Sequence, residues 1–249
     1  MKDFIITRLV AFLAAFSISS ALDAAITVDS NQASYLLGNH IEFLEEKDST
    51  LSLADVMSAQ QASRFQRAKG PIPNFGQVNS AFWFKIKLNH QMPEQTHWLL
   101  ELDFPYIDHL EFYAPDTSGR YTKVITGDKY PFSQRRIKTH SFVFDVDLEP
   151  KQITALFFRI QTTTSLQLPL TLWGPEEFIK NNSQKRYGLG IFYGILLVMI
   201  FYNLFIFISV RDISYFYYIS YIFLIMMANL AINGLAFQYL WPNSPTMTN

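Results

Sequence analysis

Two periodicities divide the chain. From residue 26 to 175 apolar and polar positions alternate in short runs, and from 187 to 237 apolar residues follow one another almost without interruption. In Phe82-Trp83-Phe84-Lys85-Ile86-Lys87-Leu88 the even positions are apolar, while Lys85 and Lys87 fall on the opposite face. That is the period-two pattern of a strand buried on one side. Similar alternation recurs at 98–104, 107–113, 142–146, 153–160 and 166–170, and turn-forming residues punctuate it at 89–93, 115–119, 127–128 and 149–150. Many short strands with closely spaced turns predict an antiparallel sandwich over 26–175. Ser52-Leu53-Ala54-Asp55 predicts a short capped helix. The glycines and prolines of 66–80 predict a loop.

Gly174-Pro175-Glu176-Glu177 closes the strand-rich region and starts a helix, with proline at its first position and acids in its first turn. This predicts a linker helix over 176–186 that runs into a first membrane span at 187–209. A second span is predicted at 213–237, since both runs are uncharged and long enough to cross a bilayer. Arg211-Asp212 is then the turn of a helical hairpin. At the other end, Lys2 and Arg8 precede the apolar run Leu9–Ile18 and the small residues Ser19-Ser20-Ala21. That order predicts a secretory signal peptide over 1–24, its apolar run only about half of the ~20 residues a span needs. Export places the sandwich outside and Arg211 inside. The tail 238–249 returns to the outer side, with Tyr239, Trp241 and Pro242 at the interface. Counting basic residues alone favours the opposite orientation, but an exported folded domain outweighs that bias.

An amide in hydrocarbon needs a partner. Asn203, Asn229 and Asn233 are therefore expected to face other helices, the alternative for Asn203 being a carbonyl of its own helix. Gly190 and Gly194 form a small-xxx-small face suited to close helix approach. These residues predict packing into a larger bundle or self-association through the membrane helices.

The hydrophobic fraction of 49% and aromatic fraction of 16% reflect those spans. A formal net charge of −1 argues against a nucleic-acid partner. The absence of cysteine excludes disulfides and zinc-thiolate sites. The five histidines, His40, His90, His97, His109 and His140, show no metal-ligand spacing, and no nucleophile, metalloprotease or phosphate-loop motif is present. The sequence therefore predicts no catalytic residues, no metal, no cofactor and no enzyme. Trp83 and Trp98 are expected to be exposed on their strands, and Tyr106, Tyr113 and Tyr121 add hydroxyls. Trp83, Tyr113 and Arg135 are the candidate ligand surface, since a ring beside an arginine can stack a sugar or hold an anion. The alternative is that such rings pad the sandwich edge or pack on the membrane part.

Several segments in order resemble one family. They are 79–84, 106–113, Thr126-Gly127-Asp128 with 131–135, and 168–173, followed by 190–196, 202–205, 211–215 and 234–242. Together they are similar to the bacterial seven-transmembrane receptors with diverse intracellular signalling modules (7TMR-DISM). The resemblance implies a jelly-roll sandwich like a carbohydrate-binding module, in the periplasm and anchored in the inner membrane. It implies a ligand-sensing role with a periplasmic carbohydrate or other small ligand. In the family a diguanylate cyclase or histidine kinase module follows seven helices. The sequence here ends at Asn249, after two, so the expectation is a receptor input portion without an output module. The competing expectation is a membrane-anchored scaffold that docks another envelope protein.

Overall fold

The computed structural model describes residues 25–47 and 51–243; the leader expected at 1–24 and the tail from 244 lie outside the described residues. Two sheets face each other. The larger contains β1 (Ala25–Val28), β3 (Glu42–Glu46), β4 (Gln66–Arg67), β6 (Ala81–His90), β8 (His109–Pro115), β9 (Tyr121–Thr126) and β11 (Gln152–Gln161). Its order is β4-β3-β6-β11-β8-β9, with β1 parallel to the end of β6. The smaller sheet has the order β10-β7-β13-β2, from Phe142–Asp147, His97–Leu102, Leu170–Trp173 and Ser34–Leu36. A two-stranded ladder pairs β12 (Ser165–Gln167) with β5 (Asn74–Gln77).

The alternation explains the core. Phe82, Phe84, Ile86 and Leu88 of β6 meet Trp98, Leu100 and Leu102 of β7 between the sheets. Among the described residues every pairing apart from β1 with β6 is antiparallel. The chain is thus a mostly antiparallel β-sandwich followed by two long apolar helices. The strand expected at 166–170 is split at Leu168-Pro169 into β12 and β13, and the loop expected at 66–80 contains β4 and β5. The strand expected from 107 begins at His109, and β9 is an additional strand.

The outer face of the larger sheet has its own cover. Ser52 caps α1 (Leu53–Met57), exchanging hydrogen bonds with Asp55 in a capping box, and α2 (Ala59–Ala62) follows. Val56 from α1 packs with Leu44, Trp83, Tyr113 and Phe157 in a second, smaller cluster. Trp83 is therefore fully buried although it shares its face with Lys85 and Lys87.

The helix starting at Pro175 continues without a break to Val210 (α3), and 36 residues span about 54 Å at the rise of an α-helix. A bilayer needs about 20 residues, so the first turns of α3 project from the membrane beside the smaller sheet, where Phe178 is buried. Arg211 caps α3 in the left-handed region, and Asp212 accepts from the Ser214 amide to open α4 (Ile213–Ile232). The second span expected to reach residue 237 ends earlier. Gly234 turns the chain at φ 68° into α5 (Leu235–Tyr239), and a Cβ there would sit 2.9 Å from Pro105. The hairpin thus bends back onto the sandwich.

Candidate functional site: an edge groove and a membrane junction

The sandwich is open along one side. There β9, the last strand of the larger sheet, faces β10, the last strand of the smaller one. Between them lies a groove of about 290 Å³. Its floor is Phe112, Phe142 and Phe144, and its lips carry Thr122, Val124 and Asp145. Val124 pairs with Phe112 across the ladder and so points between the sheets, yet it is 48% exposed. At one end the groove is closed by Gln134, Arg135 and Arg136. At the other it continues into a second hollow of about 320 Å³ bounded by Asp116, Asp147 and Glu149.

Arg135 is the most constrained of these residues. It is only 7% exposed. Its Nη1 donates to the carbonyls of Thr139 (3.1 Å), His140 (2.8 Å) and Ser141 (3.4 Å). Its guanidinium lies over the rings of Phe142 at 4.2 Å, Phe132 at 5.0 Å and Phe237 at 5.6 Å. Phe142 belongs to the groove and Phe237 to α5, so one side chain touches both. Burial lowers its pKa to about 10, with nearby Asp128 acting the other way, which leaves it cationic at neutral pH. Asp128 is also buried, and burial followed by the charge of Asp108 raises its carboxyl to about 6. Gly127 sets this bend at φ 152°, where a Cβ would lie 2.2 Å from the Asp108 carbonyl oxygen.

The same loops clasp the membrane helices. The Phe132 amide donates to the Pro242 carbonyl (2.9 Å), Phe132 meets Phe237 edge to face at 5.7 Å, and Tyr106 donates to the Ala231 carbonyl. At the foot of the smaller sheet, Lys185 of α3 donates to Asp103 (2.8 Å), and His140 stands 3.3 Å from the other carboxylate oxygen. Burial alone would raise the Asp103 pKa, but hydrogen bonds from His140 and Lys185 outweigh it and hold the carboxyl at about 2. A cavity of about 50 Å³ remains between Pro105, Tyr106, His140, Phe237 and Trp241.

The three residues expected to form a ligand surface do not converge. Trp83 and Tyr113 stack on each other, centroids 5.5 Å apart, on the outer face of the larger sheet beneath α1. They are 0% and 9% exposed, so neither offers a free ring face. Trp83 Nε1 instead donates to Glu46 (3.1 Å), which also accepts from Arg159 (2.9 Å). Trp98, also expected outside, is in the inter-sheet core. Arg135 alone lines the groove. The residues missed by sequence reasoning are Val124, Arg136, Asp103, His140, Lys185 and Phe237. Among the described residues, no group of three or more histidine and carboxylate side chains could hold a metal ion.

The membrane amides are resolved differently from the expectation of helix-to-helix partners. Asn203 Nδ2 donates to the Met199 carbonyl of its own helix (2.8 Å), and Asn229 does the same to Ile225 (2.9 Å). Only Asn233 reaches across, to the Tyr193 hydroxyl (3.2 Å). A methyl built on Gly190 or Gly194 would meet no atom within 4 Å among the described residues, so their face is unused by them.

Comparison with known proteins gives the class. Residues 38–174 match the family described as 7TMR-DISM extracellular 2, and residues 185–249 match 7TM diverse intracellular signalling. The chain belongs to the 7TMR-DISM receptors: it is a membrane receptor segment with an extracellular sensory domain. Both matched segments are sensory and membrane parts rather than catalytic domains. No curated protein matches the sequence. A solved structure titled as the structural basis for the promiscuous specificity of carbohydrate-binding modules from the β-sandwich superfamily is similar at 9% identity with a TM-score of 0.24, over 57% of this chain. The chain spans about half, 52%, of that structure's length.

Proposed function

We propose that the chain is the ligand-sensing input of a bacterial receptor in the inner membrane. In this reading the sandwich lies in the periplasm, and the Arg211-Asp212 turn faces the cytoplasm. Ligand enters the groove between β9 and β10, and the change passes through the 132–142 segment to α5. No catalytic step is part of this role. The observation that carries the proposal is Arg135, which packs on Phe142 of the groove and on Phe237 of the membrane hairpin. A buried cation held by three carbonyls cannot shift on one side without disturbing the other. The output module of such a receptor would act downstream of the helices.

The experiment needs no known ligand. The chain has no cysteine, so Tyr239→Cys is a unique thiol on α5, where the native side chain is exposed. In nanodiscs, Val124→Trp fills the groove, and the thiol's reaction rate with a soluble maleimide reports on α5. A changed rate that disappears when Arg135→Met is added supports the reading. An unchanged rate in a folded Val124→Trp chain refutes coupling through this groove.

A further inference from the structure

The groove has a direction. Its two hollows are continuous, since Ala114, Thr122, Asp145 and Asp147 border both. At one end Arg136 is 77% exposed at its side chain; its Nη1 pairs with Asp145 at 2.8 Å, and its other guanidinium nitrogens have no partner among the described residues. The other end is acidic: Glu149 is exposed and pairs with no cation among the described residues. Between the ends the floor is apolar. Both lips are strand edges, because among the described residues β9 pairs only with β8 and β10 only with β7. Such edges present unpaired backbone donors and acceptors at regular spacing.

The floor also says what does not fit. Phe112, Phe142 and Phe144 are buried, so no ring face is free to stack on a sugar. An extended peptide fits each feature in turn. Its backbone can pair with a free strand edge, and alternate side chains enter the apolar floor. Its two terminal charges match the two ends. From Phe142, beside Arg135, to Asp147, β10 covers about 17 Å at roughly 3.3 Å per residue, the reach of about five extended residues.

We propose that the groove binds a short peptide with free termini, laid along β9 or β10 with its carboxylate toward Arg136 and its ammonium toward Glu149. This rests on the reading of the groove as the sensory site and assigns it a ligand class.

The test uses the full chain in nanodiscs with Thr122→Cys as its only thiol, on the lip that borders both hollows. Maleimide modification is timed with a randomised pentapeptide pool, with the same pool acetylated and amidated, and with a pool of cell-wall and cellulose oligosaccharides. The free pool is expected to slow modification, and the blocked pool to require about tenfold more for the same effect, the scale of one or two partly exposed charge contacts. Arg136→Gln is expected to make amidated and free-acid peptides equivalent, and Glu149→Gln to do the same for acetylated and free-amine peptides. Equal protection by free and blocked pools overturns the assigned orientation and terminal recognition. Protection by oligosaccharides alone overturns the peptide and leaves the groove a ligand site. Protection by none overturns the peptide while the Tyr239→Cys response to Val124→Trp stands; loss of that response as well overturns the reading beneath it.

Discussion

The guanidinium of Arg135 lies 5.6 Å from the centre of the Phe237 ring. Residue 135 belongs to a loop of the exported sandwich, and residue 237 to the short helix that ends the membrane hairpin. One buried cation and one ring thus join two parts of the chain with unlike solvents, alongside the Phe132, Tyr106 and Lys185 contacts at the same junction. Cation–π contacts of this kind are worth on the order of 0.5–2 kcal/mol, more when desolvated.

Arg135→Ala removes the charge and leaves three carbonyls, those of Thr139, His140 and Ser141, without their donor. We expect a loss of about 2–4 kcal/mol in sandwich stability, in the range for a broken buried polar network. Chemical denaturation of the chain in detergent measures it. Arg135→Lys should keep part of this stability but lose the stacking, because an ammonium lacks the planar fork. A lysine variant as stable as wild type would show that stacking contributes little.

Asp128 and Asp103 should give opposite pH effects at one junction. The Asp128 carboxyl is raised to about 6, so its folded pKa exceeds the unfolded value of about 3.9, and stability falls as pH rises from about 4 to 6. Asp128→Asn mimics the protonated form. It is expected to flatten this fall and to stabilise the chain at pH 7 by about 1–3 kcal/mol. Melting temperature across that range is the measurement, and an Asn variant that is less stable at pH 7 would contradict the assignment.

Asp103 is held at about 2, below its unfolded value, so the stability it contributes is present above about pH 4 and lost as pH falls toward 2. The pair with Lys185 is partly exposed, so added salt should weaken it. Lys185→Gln is expected to remove most of the salt dependence of α3 docking. That docking can be followed by the reaction rate of a single cysteine at Gly188, which lines a hollow together with Asp103, His140 and Lys185.

Among the described residues, Asn233 and Tyr193 are the polar side-chain pair that joins α4 to α3, beside the Phe207–Phe216 ring contact, whereas Asn203 bonds its own helix. A double-mutant cycle with Asn233→Ala and Tyr193→Phe should therefore show coupling near ~0.6 kcal/mol, the average for interhelical polar contacts. Asn203→Leu should leave hairpin stability nearly unchanged. A larger effect from Asn203→Leu than from Asn233→Ala would reverse the roles.

The sandwich was legible because β6 alternates from Phe84 onward and Trp98, Leu100 and Leu102 of β7 share one parity, so parity alone assigns Phe84, Ile86, Leu100 and Leu102 to the core; the same parity places Trp98 there, against the expectation of exposure. β9 was not, because it is an edge strand whose residues 122–125 are all exposed, and an edge without a buried face has no period to read. Trp83 was assigned to the correct face, but its burial depends on α1, and cover by a helix on a second face leaves no trace in strand alternation. The junction was hidden for another reason. Asp103 and Lys185 are 82 residues apart in sequence, and nothing local marks either as the other's partner. The long helix from Pro175 was legible from its start signals, whereas its companion's early end at Gly234 depends on contact with Pro105.

The central claim is that the groove and α5 are coupled through Arg135, and hydrogen exchange tests it most directly. The Leu240 amide donates to the Ala236 carbonyl at 2.8 Å, so its protection reports whether α5 is intact. The exchange rate of the peptide covering 235–241 would be compared in nanodiscs between wild type, Val124→Trp, Arg135→Met and the double variant. The account predicts that Val124→Trp changes the rate in the wild-type background and adds nothing once Arg135 is gone. An unchanged rate on filling the groove, or the same change with and without Arg135, would contradict it.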